Sequence, residues 1–68
     1  MKTKLKHHRL KHNMTQAELA KIVKVRRETI SLLEGGKYNP SLKLATKISK
    51  QFKTTTDKLF IFDPLELK

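Results

Sequence analysis

The stretch Thr15-Gln16-Ala17-Glu18-Leu19-Ala20-Lys21-Ile22-Val23-Lys24-Val25-Arg26-Arg27-Glu28-Thr29-Ile30-Ser31-Leu32-Leu33-Glu34 decides how this chain folds. A threonine followed three residues later by a glutamate forms a reciprocal cap at a helix start, which places Thr15 at an N-cap. Leu19, Ala20 and Val23 then fall on one helical stripe. Lys24 and Val25 make a short turn, and a further segment over about 26–34 turns Ile30 and Leu33 inward. Gly35-Gly36 stops that segment, and Lys37-Tyr38-Asn39-Pro40 reads as a loop.

Working outward, residues 5–12 place Leu5, His8, Arg9 and His12 at i, i+3, i+4, i+7 spacing, a first helix ended by Asn13. Downstream, Ser41 is expected to cap a fourth helix whose buried stripe is Leu42, Ala45, Ile48 and Phe52. Lys43, Lys47 and Lys50 fall outside that stripe and read as a solubilising face. Thr54-Thr55-Thr56 opens a last short helix through Leu59 and Phe60, with Asp57 in its first turn complementing the helix dipole. Residues 61–68 contain Pro64 and carry no regular period.

Sixty-eight residues make one small domain, here 1–68, with a thin core. The chain has no cysteine, so no disulfide or thiolate site staples it, a usage that suits a reducing cytosol. Apolar residues are 37% of the chain and occur in short runs, which excludes a membrane span. Met1-Lys2-Thr3-Lys4 is basic but no apolar segment follows, so no secretory signal is expected and the chain reads as a complete cytoplasmic protein. The net charge is +10, and it is unevenly spread. Residues 1–56 hold fourteen basic and three acidic groups, a net of +11, whereas 57–68 carry a net of −1. A body facing a polyanion, with a near-neutral C-terminal end, is the simplest reading.

Two short helices joined by a tight turn bind DNA when the second can lie in the major groove. The segment over 26–34 has a suitable outer face, made of Arg26, Arg27, Glu28, Thr29 and Leu32. An arginine fork matches the O6 and N7 acceptors of guanine, and a threonine methyl or a leucine meets thymine methyls. Glu28 has two readings of equal standing: it accepts from cytosine N4, or it orients the neighbouring arginines.

The order and spacing of Thr15-Gln16-x-x-Leu19-Ala20, Val25-x-Arg27-x-Thr29-Ile30-Ser31 and Glu34-x-Gly36-Lys37-Tyr38-Asn39-Pro40-Ser41-Leu42 resemble the phage-repressor (Cro/C1, or XRE) helix-turn-helix family. The resemblance runs from Leu5 to about Phe60 and is nearest to small stand-alone bacterial regulators. It implies an all-α, five-helix lambda-repressor-like domain with the helix-turn-helix at about 15–34, acting as a transcriptional regulator, most simply a repressor. It further implies base readout by Arg27, Glu28 and Thr29, with Gln16 touching a phosphate and bracing the recognition helix. Lys37, Tyr38 and Asn39 would grip the DNA backbone, and Arg9 and Glu34 would form a salt bridge between helices one and three. The chain departs from the family pattern at Lys24 and Lys53, where glycine is usual, at Arg26, where Ser or Thr usually caps, and at Glu28, where glutamine is usual.

Members of this family usually bind as two-fold dimers, which implies a homodimer on an inverted-repeat operator in double-stranded DNA. The near-neutral segment 57–68 is where the joint is expected, because Leu59, Phe60, Ile61, Phe62, Leu65 and Leu67 offer more apolar surface than so small a core absorbs. Part of this tail is also allowed to pair as a strand with residues 1–4. No cofactor, small-molecule effector or membrane is implied.

Competing readings are weaker. His8 and His12 sit one helical turn apart, but no cysteine or nearby acid completes a metal site, and His8 stands where a Leu or Ile is usual. A partly buried structural histidine is the better reading. An enzyme is disfavoured, since no glycine-rich phosphate loop or nucleophile set is present and so small a chain scarcely encloses a substrate pocket. An antitoxin-type interaction module with autoregulatory DNA binding is the alternative function, and it has only residues 61–68 as a partner-binding extension. A non-specific RNA or membrane polycation needs no ordered recognition helix.

Overall fold

The computed structural model describes residues 2–61. In chain order they form β1 (Lys2–Thr3), α1 (Leu5–Lys11), α2 (Gln16–Val23), α3 (Arg27–Glu34), α4 (Leu42–Gln51), α5 (Thr56–Leu59) and β2 (Phe60–Ile61). The five helices are the lambda-repressor-like arrangement that the resemblance implies, and the short strand pair joins the two ends of the chain.

Side-chain oxygens start several of these helices. The Thr15 hydroxyl accepts from the Glu18 amide at 3.1 Å and the Glu18 carboxylate accepts from the Thr15 amide at 3.0 Å, the reciprocal cap expected of this pair. Ser41 Oγ accepts from the Leu44 amide at 3.1 Å and opens α4 in the same way. At the start of α1 the Thr3 hydroxyl accepts from the Leu5 amide at 3.1 Å.

The helix ends rely on left-handed residues. Asn13, Lys24 and Lys53 have φ of 55°, 62° and 52°, and Gly36 has φ of 70°. Asparagine and glycine enter this region readily, but each lysine costs about 1–2 kcal/mol there. The turn returns part of that cost through backbone bonds, from the Val25 amide to the Ala20 carbonyl and from the Thr54 amide to the Ser49 carbonyl, each at 2.9 Å. Both lysine departures from the family pattern therefore sit where a glycine would relax without strain.

The core is assembled from Leu5 of α1, Leu19, Ala20 and Val23 of α2, Ile30 and Leu33 of α3, Leu44, Ala45 and Ile48 of α4, and Phe52, Leu59 and Phe60, with Met14 and Val25 packed against it. Full burial of one such aliphatic side chain contributes about 1.5–3 kcal/mol, so a core this thin depends on nearly all of them. Leu42 is not among them. It is 82% exposed, and Leu44 takes the place expected for it in the stripe. On a 100° wheel the two leucines flank the line of Ala45, Ile48 and Phe52 at similar angles on opposite sides. Leu44 lies on the flank it shares with Val23 and Val25, and that packing decides between them.

The strand pairing allowed between the two ends of the chain is present, and it corrects where the last helix stops. β1 and β2 pair antiparallel, with Lys2 opposite Ile61 and Thr3 opposite Phe60. The Lys4 amide extends the pairing by donating to the Leu59 carbonyl at 2.8 Å. Phe60 is thus the first residue of a strand rather than the last of a helix. Leu59 and Phe60, expected in an intermolecular joint, are 0% and 2% exposed within this chain's own core. The short strand pair turns them inward over α4, where they compensate for the small size of the domain. Ile61 stays half exposed, while Phe62, Leu65 and Leu67 lie outside the described residues.

Histidine 8 is half-buried, its Nδ1 paired with the Lys4 carbonyl at 3.0 Å and its ring 6.1 Å from Phe52. His12 packs its ring 5.0 Å from the same phenylalanine. Both rings serve as a lid over Phe52, in keeping with a partly buried structural role for His8.

Candidate nucleic-acid interface

Three residues, Lys24, Val25 and Arg26, join α2 to α3. Left-handed Lys24 reverses the chain, and Val25 fills the space beneath the turn by packing on the core. The two helices are thereby held at a fixed angle, with Ile30 and Leu33 of α3 buried against the body. Arg27, Glu28, Ser31 and Leu32 then face outward. Arg26 occupies the N-cap with extended backbone and no side-chain cap bond. Its guanidinium has no acceptor with which to serve α3, so the helix forgoes about 1 kcal/mol that Ser or Thr would supply.

A line of polar side chains anchors this face to the rest of the molecule. Arg9 of α1 donates from Nε to Glu34 Oε2 at 2.6 Å and from Nη2 to Oε1 at 3.3 Å. The side chains of this pair are 9% and 5% exposed, and the expected bridge between α1 and α3 is thus nearly dry. Arg9 Nη1 donates to the Met14 carbonyl at 2.8 Å, which ties the α1–α2 connection to the same point. Gln16 Nε2 donates to Glu34 Oε1 at 2.9 Å. A carboxylate only accepts, so this bond fixes which end of the Gln16 amide faces Glu34 and leaves its carbonyl oxygen pointing away. That oxygen accepts from Arg27 Nη1 at 3.3 Å.

Arg27 is therefore guided from one side by Gln16 and from the other by Glu28, whose carboxylate lies 3.9 Å from Arg27 Nη2. Arg27 and Glu28 remain 56% and 69% exposed, so their hydrogen-bonding edges are open to a ligand. The structure thus supplies contacts for the second reading of Glu28, as an orienting group for Arg27. Glu18, in the first turn of α2, has its carboxyl held below the ordinary glutamate value by the Thr15 amide and then the Thr15 hydroxyl.

The remaining residues singled out from the sequence are spread around this centre. Leu32 is 47% exposed one turn along α3, and Thr29 is half-buried on the side of the helix facing Tyr38 and Leu44. Lys37, Tyr38 and Asn39 are exposed in the loop that follows α3. Sequence reasoning passed over Ser31, which is exposed one turn beyond Arg27. Its i+4 spacing from Arg27 is the signal that would have found it. The direct bond between Gln16 and Arg27 had no local signature, because the two lie eleven residues apart and meet only through the turn.

Comparison with known proteins agrees with this geometry. A family model described as "Helix-turn-helix" matches residues 5–59. An uncharacterized HTH-type transcriptional regulator of Archaeoglobus fulgidus is 61% identical over 67 residues, covering 98% of this chain and 94% of that protein. One of Methanocaldococcus jannaschii is 52% identical, with 93% of this chain and 96% of the relative covered. Another, of Bacillus subtilis, is 40% identical across 88% of this chain and 91% of its own length. Among the described residues no helix is long and apolar enough to cross a membrane.

Proposed function

Because this chain belongs to the helix-turn-helix family of transcriptional regulators, we propose that it binds a specific operator in double-stranded DNA as a homodimer and represses transcription from the cytoplasm. The carrying observation is the exposed α3 face, where Arg27 reaches Gln16 with Nη1 and lies beside Glu28 with Nη2 while its side chain stays 56% exposed. A pre-positioned guanidinium loses little freedom when it meets a guanine edge, and this favours a base-specific contact over mere charge attraction. In this reading Arg26, Glu28, Thr29, Ser31 and Leu32 complete the base-reading surface. Gln16, Lys37, Tyr38 and Asn39 contact the sugar-phosphate backbone.

One unit of this size reads only a few base pairs, and a two-fold pair doubles them on an inverted repeat with half-sites about 10–12 base pairs apart. With Leu59 and Phe60 committed to the core, the joint in this reading is formed by Ile61 on the β2 edge together with Phe62 and Leu65. Among the described residues β2 pairs only with β1, and a strand edge carrying an exposed isoleucine is a ready template for pairing with a second copy.

Selection from a random duplex library tests the proposal. A palindromic consensus is expected, and Arg27→Ala should cost about 1–3 kcal/mol on it while relaxing preference at one base pair per half-site. Unchanged base preference in that variant, or a monomer at tens of micromolar by sedimentation with a non-palindromic consensus, would overturn it.

A further inference from the structure

We propose that Lys24, Lys43, Lys47 and Lys50 form a second phosphate track, which holds the backbone of the same duplex beyond the base pairs read by α3. The inference rests on the DNA-binding reading above. Taken alone, the sequence presents the α4 lysines as a solubilising face. Three features of the structure set them apart from one.

The first is their grouping. Lys43, Lys47 and Lys50 stand at i, i+4, i+7 on α4 and so share one side of the helix. Left-handed Lys24, in the α2–α3 turn, lines the same surface as that row. One groove brings Lys24, Lys43 and Lys47 together with Thr29, Tyr38 and Ser41, and a second continues past Lys24 and Lys47 to Lys50 and Gln51. The two grooves share Val23, Lys24 and Lys47 and so form one path. It leads from the α3–α4 loop away from the recognition helix.

The second is charge. Among the described residues no acidic one lines either groove, and α4 from Leu42 to Gln51 contains none. A solvated face normally intersperses both signs, whereas a single-sign row repels itself until a counter-charge arrives. The third is length. Seven residues of helix advance about 10 Å, close to three base-pair steps of duplex. Lysine, as a mobile point charge, meets phosphates at such spacing without reading bases. The track should therefore respond to how far the duplex extends, and not to the sequence of the extension.

The test uses the full chain and a duplex recovered by selection, in two forms: the selected site alone, and the same site lengthened on each side by about one helical turn of arbitrary sequence. Lys43→Ala/Lys47→Ala/Lys50→Ala is compared with Lys4→Ala/Lys6→Ala/Lys11→Ala, which removes equal charge from α1 and its cap. Circular dichroism verifies that both variants are folded. The wild type is expected to bind the lengthened duplex about tenfold tighter, with a salt slope steeper by about 2–3 per subunit. The α4 variant should lose both differences yet keep its affinity for the short duplex, and the α1 variant should keep both. Binding by the wild type that ignores length overturns the track alone, and is the result expected if an acidic protein surface occupies the lysines instead. Equal loss in the two variants also overturns it, by reducing the effect to net charge. Failure of the wild type to bind any selected duplex would sink the DNA-binding reading and the track with it.

Discussion

Glu34→Ala is the substitution that should damage this protein most for the least change in volume. The Glu34 carboxylate accepts from Arg9 Nε at 2.6 Å, Arg9 Nη2 at 3.3 Å and Gln16 Nε2 at 2.9 Å. Its removal leaves a guanidinium that is nine-tenths buried with the Met14 carbonyl as its remaining acceptor. An orphaned buried charge of this kind costs about 3–5 kcal/mol. A domain of this length has a total stability of about 3–10 kcal/mol, so the variant should be largely unfolded at physiological temperature or close to it. Replacing both charges, as Arg9→Met/Glu34→Leu, removes the orphan and should recover most of the loss. The double-mutant cycle in urea unfolding should then give a coupling of about 2 kcal/mol or more. Because the pair is shielded from solvent, that coupling should change little between low salt and 0.5 M salt, using about a 10 Å screening length at 0.1 M as the guide. The folded double variant carries a second readout. Gln16 loses the acceptor that fixed its amide, Arg27 loses a directed partner, and base preference should broaden although neither residue is altered. A loss under about 1 kcal/mol for Glu34→Ala, or a coupling that vanishes at high salt, would refute the account of a dry anchor.

Lys53→Gly should stabilise the domain. It removes about 1–2 kcal/mol of left-handed strain and returns about 0.5–1 kcal/mol to the unfolded chain, a net gain that calorimetry reads as a melting temperature several degrees higher. A lower melting temperature would show that the Lys53 side chain contributes packing that outweighs the strain. The capping carboxyl of Glu18 titrates below its usual value in the folded state, so its contribution to stability is present above the unfolded glutamate value of about 4.3 and is lost as pH falls through the lower folded value. Asp57, held low by the Thr55 hydroxyl and then by its own backbone amide, acts in the same direction. Thr15→Ala removes the hydroxyl but keeps the backbone amide that is the larger cause. It should therefore move the Glu18 titration by NMR only part of the way back to the ordinary value and modestly reduce the fall in stability on acidification, and an unchanged titration would break the link to the hydroxyl.

Much of this molecule was determined by residues close together in sequence. The reciprocal cap of Thr15 and Glu18, the Ser41 cap, the left-handed stops at Asn13 and Gly36, and the inward pair Ile30 and Leu33 are local decisions, made by hydrogen bonds and periodicity within a turn or two. They locate α3 and its exposed face, and the spacing of the motif residues around them carries the family resemblance. Where the stripe is ambiguous, tertiary packing had to decide. Leu42 and Leu44 flank α4 at similar angles, and only the position of Val23 and Val25 buries one and exposes the other. Leu59 and Phe60 have the composition of an interface, but the strand pairing of 2–3 with 60–61 turns them into the core instead. The bond from Gln16 to Arg27 and the meeting of Lys24 with the α4 lysines belong to the same class. Each depends on the angle at which the α2–α3 turn and the body of the fold bring separate helices together, and no local propensity encodes that angle.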